Sequence, residues 1–495
     1  MEISNVKMRC ILMASAAVLL PIAAQAQSTG GSGSGDIPPT ASTSEGTDLG
    51  EIIVTAQRRE QRGNDVGIAM DVVTGAELAA GGVKQVTDLT SLTTNVNIKN
   101  TLGNSVPNIS IRGIGLNDYA SNNNPAAGVY VDNVYLVSPA MLSFGLFDVE
   151  RVEVLKGPQG DLYGRNTTAG AVNIISRRPS ATPSANFEIG YGSYQSWHVN
   201  GAVGGPLTST LNGRFAFIVE QQDSGWQTNY VTGERMGKID RSAARLQLEW
   251  SPSETFTARL SAHAGYDRSD EALYKADDNP TTTEDDPFLS QPRTAGSAND
   301  PHMDNKSFGA SLTIDWALSD DLSLTSISAH EYLRRIDVVD QDGTGLRQLD
   351  STFANRISEQ TQEIRLSYAK DDLNLIGGVY YSHDTVRARD FYLIPDLLPT
   401  FGDTLGNTYR QKTDAYAGFL HGEWTFLPRA TLVAGVRYTH ERKAIDDVTT
   451  FFGANGVFAN AFPPASARYS TSRVSGKVGL NYKVADDTLV RRQNI

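Results

Sequence analysis

Cysteine is nearly absent: the 495-residue chain has one, Cys10. That excludes a disulfide framework and any cysteine-built zinc or iron–sulfur site. Long apolar runs are lacking too. No stretch reaches the roughly 18–20 residues that a membrane-spanning helix needs, and mean hydropathy is −0.30. Positive charge is the minority sign, with 43 Lys and Arg against 56 Asp and Glu and a net charge of −13. This balance argues against a nucleic-acid binder. The 7 histidines are scattered, without an HExxH or a paired spacing, so no metal site is assigned. P-loop, GxSxG and zinc motifs are missing. Gly31-Ser32-Gly33-Ser34-Gly35 has linker composition, with no strand before it. The sequence gives no support to an enzyme and calls for no cofactor.

What is present begins with an export signal. Lys7 and Arg9 form a short positive region, Cys10 to Ala24 is apolar, and Ala24-Gln25-Ala26 has a small-x-small cleavage pattern. Residues 1–26 are expected to be removed, and Cys10 with them. Residues 27–48 form a Gly/Ser/Thr/Pro linker that cannot bury a core and is expected to be disordered. A β-prone island follows, Glu51-Ile52-Ile53-Val54-Thr55-Ala56-Gln57, before the charged run Arg58-Arg59-Glu60. An exposed segment of this kind on a flexible tether suits strand addition to a partner's sheet. It equally suits the first strand of the domain that follows.

From about Gly67 to Pro179 the pattern is mixed α/β. Thr74-Gly75-Ala76-Glu77 has the form of a capping box, opening a short helix that Gly81-Gly82 ends. Thr87 is expected to cap a second helix through Leu92. Strands are expected at Val96 to Ile98, Ile109 to Ile111, Gly128 to Val134, Val149 to Leu155 and Ala171 to Ile175.

After Ser180 the periodicity becomes two and persists. Phe256, Ala258, Leu260, Ala262 and Ala264 alternate with Thr257, Arg259, Ser261 and His263. Leu432, Ala434, Val436 and Tyr438 alternate with Val433, Gly435, Arg437 and Thr439. A soluble sandwich also alternates, so loop length decides. About twelve strands are expected, with short turns after even-numbered strands and long polar connections after most odd-numbered ones. That is the layout of a bacterial outer-membrane barrel. Trp250, Phe256, Trp316, Trp424 and Phe426 flank short turns, as an aromatic girdle would. The fold class expected is β, a transmembrane antiparallel barrel with an N-terminal α/β domain.

Three runs carry a family resemblance. They are Ile111-Arg112-Gly113-Ile114-Gly115, Gly128-Val129-Tyr130-Val131-Asp132, and the long run from Phe147 to Gly160 continuing as Leu162-Tyr163-Gly164-Arg165-Asn166. They resemble the plug domain of TonB-dependent outer-membrane receptors. Asp161, where that family usually has Thr or Ser, and Ala169, where it often has Gly, depart from the pattern. The resemblance implies a TonB box at residues 49–59, a plug at 60–180 and barrel strands over 181–495. It implies a barrel of 22 strands, so about ten are expected to be missing here. Thr488-Leu489-Val490 should begin a thirteenth strand that Arg491 to Ile495 stop.

The resemblance also implies a function. Such a receptor sits in the outer membrane of a Gram-negative bacterium and binds a scarce extracellular solute, most often a ferric siderophore. TonB and its inner-membrane energising complex pull on the box and rearrange the plug. A non-iron solute, such as an oligosaccharide or cobalamin, is the alternative, as is a truncated, non-functional fragment. A signalling receptor would need an extra domain before the box, for which Gln27 to Leu49 is too short. Glu51, Ile52, Ile53, Val54, Thr55 and Ala56 are expected to pair with TonB through their backbone. Arg112, Glu150, Arg151, Glu153, Lys156 and Arg165 are expected in charge pairs within the plug and to the barrel wall. Glu150 and Arg151, being adjacent on a strand, should face opposite sides. Gly157, Gly160 and Gly164 are expected in tight turns. Asn122, Asn123 and Asn124 are candidate ligand contacts at a plug apex. The acidic stretch from Asp267 to Asn305 reads first as a solvated, self-repelling loop and otherwise as a site for calcium or a cationic ligand.

Overall fold

The computed structural model describes residues 53–494, apart from 104–105, 117, 119, 143–144, 276–292, 398–401, 455–456 and 486–487. The export signal, the linker and the first residues of the β-prone island, Glu51 and Ile52, lie outside the described residues.

The N-terminal domain is built on a five-stranded sheet. Its strands are β1 (Met70–Thr74), β2 (Ala127–Val131), β3 (Val134–Leu136), β4 (Val149–Lys156) and β5 (Gly170–Ser176), in the spatial order β1-β4-β5-β2-β3. The β2–β5 pair is parallel and the other pairs are antiparallel. The run expected as one strand from Gly128 to Val134 is broken, because Asp132 and Asn133 take positive φ and fold it into a hairpin. β4 and β5 are buried along almost their whole length, which is why they read as continuous apolar runs. Val73, Leu89, Ile111, Val152 and Val172 meet in the core between this sheet and the Val96–Asn100/Pro107–Ile111 hairpin.

Helix α1 (Gly75–Ala80) is set by its capping box. The Thr74 hydroxyl accepts from the Glu77 N–H at 3.2 Å, and the Glu77 carboxylate accepts from the Thr74 N–H at 2.7 Å. The second helix differs from expectation. It is a 3₁₀ helix over Val86–Ser91, and Thr87 lies inside it. Asp88 holds its start instead, accepting from the Lys84 and Gln85 N–H groups at 3.0 and 2.9 Å.

Thirteen antiparallel strands then follow one another along the main path of one sheet. They are β6 (Ser184–Gly192), β7 (Ser196–Pro206), β8 (Leu211–Gln222), β9 (Ile239–Ser253), β10 (Phe256–Asp267), β11 (Asn305–Ala317) and β12 (Leu322–Asp340). The sheet continues with β13 (Asp350–Lys370), β14 (Leu373–Leu393), β15 (Thr404–Leu427), β16 (Ala430–Ala454), β17 (Ala465–Ala485) and β18 (Thr488–Asn494). β18 corrects the reading that Arg491 to Ile495 stop a strand. Its pairing with β17 runs on to Val478 opposite Asn494. Among the described residues, β6 and β18 pair with one neighbour each.

The two faces of this sheet settle what alternation alone left open. Leu260, Phe308, Trp316, Leu420 and Val478 are exposed on one face, while Arg245, Gln247, Ser261, His421 and Lys477 are buried on the other. The polar face wraps the N-terminal domain and the apolar face points away from it. In water so large an apolar face would be a liability; against lipid it is the expected arrangement. Near the short turns, Phe256 lies 5.9 Å from Trp250 and 6.3 Å from Trp316 between ring centroids, and Trp424 lies 5.8 Å from Phe426. These rings form the aromatic girdle. No helix among the described residues is long and apolar enough to cross a membrane.

Candidate functional site

The described part of the β-prone island, from Ile53, is docked, as a first strand of the following domain would be. Ile53–Val54 pairs antiparallel with Gln61–Arg62, and the chain turns back through Arg58 at φ 61°. Ile53 is 42% exposed, but Val54 and Ala56 are fully buried, packed with Tyr130, Leu155, Tyr163 and Phe419. Thr55 donates its N–H to Glu153 Oε1 at 2.8 Å, and its hydroxyl reaches the same oxygen at 3.2 Å. Arg151 Nε donates to that oxygen at 2.9 Å. The Arg58 guanidinium stacks 4.2 Å from the centre of the Tyr163 ring and donates to Asn133 Oδ1 at 2.8 Å. Arg59 pairs with Glu423 of the barrel wall. A backbone donor that a partner strand would need is therefore engaged by a buried carboxylate.

The proposed charge residues separate into three groups. Glu150, Arg151 and Glu153 form one cluster on β4. Glu150 and Arg151 do not simply face opposite sides, because the β4–β5 register shifts between Val149 and Arg151 and the two side chains pair. Lys156 pairs with Asp71 at 2.7 Å, inside the plug. Arg165 reaches the wall, meeting Asp384 at 2.8 Å and Glu441 at 3.0 Å. Arg112 stands apart: it is exposed and makes no ion pair among the described residues. It takes φ 54° and donates its N–H to the Asn95 carbonyl.

The wall partners in the other plug–wall pairs had no sequence signal beyond their polarity. Asp148 accepts from Arg214 Nε at 2.7 Å and lies 3.8 Å from Arg245. Asp65 meets Lys483 at 2.6 Å. Asp161, the departure from the family pattern, lies 3.0 Å from His421 Nδ1 and 3.1 Å from Lys477 Nζ. Burial opposes ionisation of Asp161. The His421 hydrogen bond and the Lys477 charge outweigh it and hold the carboxyl at about 2. Gly157 and Gly164 sit at φ 100° and 84°, as tight turns require. Gly160 does not have positive φ; it is a close approach, where an added Cβ would come 3.3 Å from Ser475.

Two of the three asparagines, Asn122 and Asn124, meet the wall. Asn122 accepts from the Tyr409 hydroxyl at 2.9 Å, and its carbonyl accepts from Gln411 at 3.1 Å. Asn124 accepts from Lys443 Nζ at 3.0 Å, and Asn123 donates to Asp118. All these wall residues lie toward the long-loop ends of β15 and β16.

The acidic loop is corrected in its described part. Asp267 and Glu271 are buried, with Asp267 accepting from Ser269 N–H at 3.0 Å. Asp277, Asp278, Glu284, Asp285 and Asp286 lie outside the described residues. Asp340, Asp342 and Asp350 each bring a carboxylate oxygen within 4.8 Å of one another, a set that could hold a hard cation. Asp342 also orders the 341–349 loop, accepting from the backbone N–H groups of Thr344, Gln348 and Leu349.

Comparison with known proteins agrees with this architecture. Residues 62–171 match the TonB-dependent Receptor Plug Domain family, and residues 261–492 match the TonB dependent receptor-like, beta-barrel family. The chain belongs to the TonB-dependent receptors and is an outer-membrane protein. Among its relatives is the pesticin receptor of Yersinia pestis, 25% identical over 89% of this chain and 62% of the relative. The chain thus spans about three-fifths of the length of the curated relatives it matches over most of its length. Two solved structures share the fold. The ferric yersiniabactin uptake receptor FyuA of Yersinia pestis has TM-score 0.72 and 22% identity, over 86% of this chain and 64% of FyuA. The ferric-catecholate import receptor Fiu of E. coli K12 has TM-score 0.67 and 16% identity, over 88% of this chain and 70% of Fiu.

Proposed function

We propose that this chain is a receptor for energised uptake of a ferric siderophore across the outer membrane, driven by TonB pulling on residues 49–59. The carrying observation is the docking of Thr55 on Glu153. A strand-forming segment follows the residues read as a signal (1–26) and a linker (27–48), and from Ile53 it is clasped to the central sheet of the domain read as a plug (60–180), inside the strands read as a barrel (181–495). Force applied to that segment would act directly on β4, which pairs with both β1 and β5. Glu51, Ile52, Ile53, Val54, Thr55 and Ala56 would pair with TonB once they leave the plug. Glu153, Arg151 and Glu150 would hold the resting position, and Lys156 and Arg165 would brace the plug; Arg112 is left to a backbone role. Asn122, Asn123 and Asn124 would present the plug to the solute. The names of the pesticin, yersiniabactin and catecholate receptors support an iron complex as that solute. The reading assigns the chain no catalytic step.

The test is binding by protein extracted from outer membranes, with ferric yersiniabactin, a ferric catecholate and ferric pyoverdine as probes. Saturable binding of one of them is expected. Binding of none, with binding of cobalamin or an oligosaccharide, would overturn the iron assignment.

A further inference from the structure

The outward face of β11 to β15 carries a feature that uptake does not use. Facing is fixed by contacts with the plug. Asn355 accepts from Ser121, Glu359 accepts from the Val137 N–H, Asp384 pairs with Arg165 and Gln411 contacts Asn122. Residues of the opposite parity on these strands point away from the plug. Among them are Arg356, Arg387 and Arg410.

These cations are in register. Lys306 pairs across to Arg334, Arg334 to Arg356, Arg356 to Arg387, and Arg387 to Arg410. Each of the adjacent strands β11 to β15 thus places a cation directly opposite the next. Arg389 stands two residues further along β14, on the same face. Like charges directly opposite each other destabilise a sheet, so the row needs an anion. Among the described residues, carboxylates meet the row only at its two ends. Asp304 lies 2.8 Å from Arg334 and 4.0 Å from Lys306, and Asp447 lies 3.2 Å from Arg410. Arg356, Arg387 and Arg389 are exposed and make no ion pair among the described residues. A groove of about 810 Å³ runs between them, with Phe391 and Phe451 on its wall.

The height of the row follows from the aromatic residues below it. Phe308 stacks on Tyr332, and Tyr381 packs on Tyr416, each pair with centroids 5.0 Å apart, where the outward apolar band ends. Lys306 and Arg334 lie two residues beyond this boundary, and Arg387 and Arg410 lie six beyond it. At strand rise that is about 7 to 20 Å along the strand. The row lies on the side of the long connections, away from the short turns, which is the extracellular side of such barrels. It therefore starts at the lipid interface and climbs through the headgroup layer.

We propose that this row is a binding site for a phosphorylated glycolipid of the outer leaflet, whose phosphates Arg356, Arg387 and Arg389 clasp. Arginine forks match phosphate oxygens in pairs, and the acyl chains would lie on the apolar band beneath. A solute in transit is disfavoured because the face points away from the plug. The proposal rests on the barrel's outward orientation and not on the identity of the transported solute.

The test uses full-length protein in detergent, with heat-modifiable migration confirming an assembled barrel. Phosphorylated lipopolysaccharide, its dephosphorylated form and inorganic phosphate are the probes, and the melting temperature is the readout. The expected result is an upward shift with the phosphorylated form alone. Changing Arg356→Gln, Arg387→Gln and Arg389→Gln together should weaken that binding at least tenfold and raise the melting temperature without glycolipid, since it relieves repulsion. Binding by the unaltered protein should also weaken steeply with salt. An equal shift with the dephosphorylated form, an equal shift in the triple variant, or a shift with inorganic phosphate alone would each overturn the proposal.

Discussion

Thr55 gives its backbone N–H to the buried carboxylate of Glu153 at 2.8 Å, and 98 residues of chain separate the two. The same oxygen takes the Arg151 guanidinium. The coupling segment is thereby tied to the strand at the centre of the plug's charge cluster. Retention by Glu153 and pairing with a partner strand therefore compete for one N–H.

Glu153→Ala should free the segment and leave the Arg151 guanidinium without its buried partner. Breaking a buried ion pair costs about 3 kcal/mol, so thermal unfolding should begin at lower temperature. Release itself is read with Ala56→Cys as a label site, since Ala56 is fully buried when docked, in a Cys10→Ser background that removes the chain's one native cysteine. Labelling of Ala56→Cys should speed up on adding Glu153→Ala. An unchanged rate would mean that apolar packing of Val54 and Ala56 alone holds the segment.

Asp161 should give the plug an acid-sensitive contact. Its carboxyl is held at about 2, below the ordinary 3.8, so it binds a proton more readily when unfolded than when docked. Its contribution is complete above the unfolded value and is lost as pH falls toward the folded one. The stability gap between the unaltered protein and Asp161→Asn should be constant above about pH 5 and close toward pH 2. A gap that stays open at low pH would show that the carboxylate's charge is not what holds the contact.

Gly170 begins β5 at φ 149°, and an added Cβ would lie 2.0 Å from the Leu155 carbonyl oxygen. No side-chain adjustment relieves a clash with backbone. Gly170→Ala should cost at least about 2 kcal/mol and separate β4 from β5. Gly82, at φ 64° with open space around it, is the control and should tolerate Ala at about 1 kcal/mol. Equal stability of the two variants would contradict the packing described.

Much of the architecture was legible because a period of two needs no tertiary information. The alternations read at Phe256 to Ala264 and at Leu432 to Thr439 fall inside β10 and β16. The capping box at Thr74 was legible for a similar reason, being a local hydrogen-bond pattern. The Thr87 helix start was not, since the Asp88 carboxylate reaches back to two backbone donors. Arg165 could be singled out as a charge in a family motif. Its partners Asp384 and Glu441 could not, because one polar residue on a lumen-facing strand looks like any other until register is known. The Ile53 to Gln57 segment was legible only as two alternatives, an exposed strand or the first strand of the domain that follows, and only the fold shows Thr55 held by Glu153. The cation row escaped detection because Lys306, Arg334, Arg356, Arg387 and Arg410 are scattered in sequence and aligned only by pairing.

The most direct measurement is uptake of radio-iron, supplied as the ferric siderophore that binds, by cells producing the chain or its Thr55→Pro variant. Proline removes the N–H that Glu153 and a partner strand would both use. The account predicts that the variant still binds the siderophore at the cell surface but takes up no iron, like the unaltered protein when the inner-membrane proton gradient is collapsed. Undiminished uptake by Thr55→Pro, or uptake indifferent to the gradient, would contradict it.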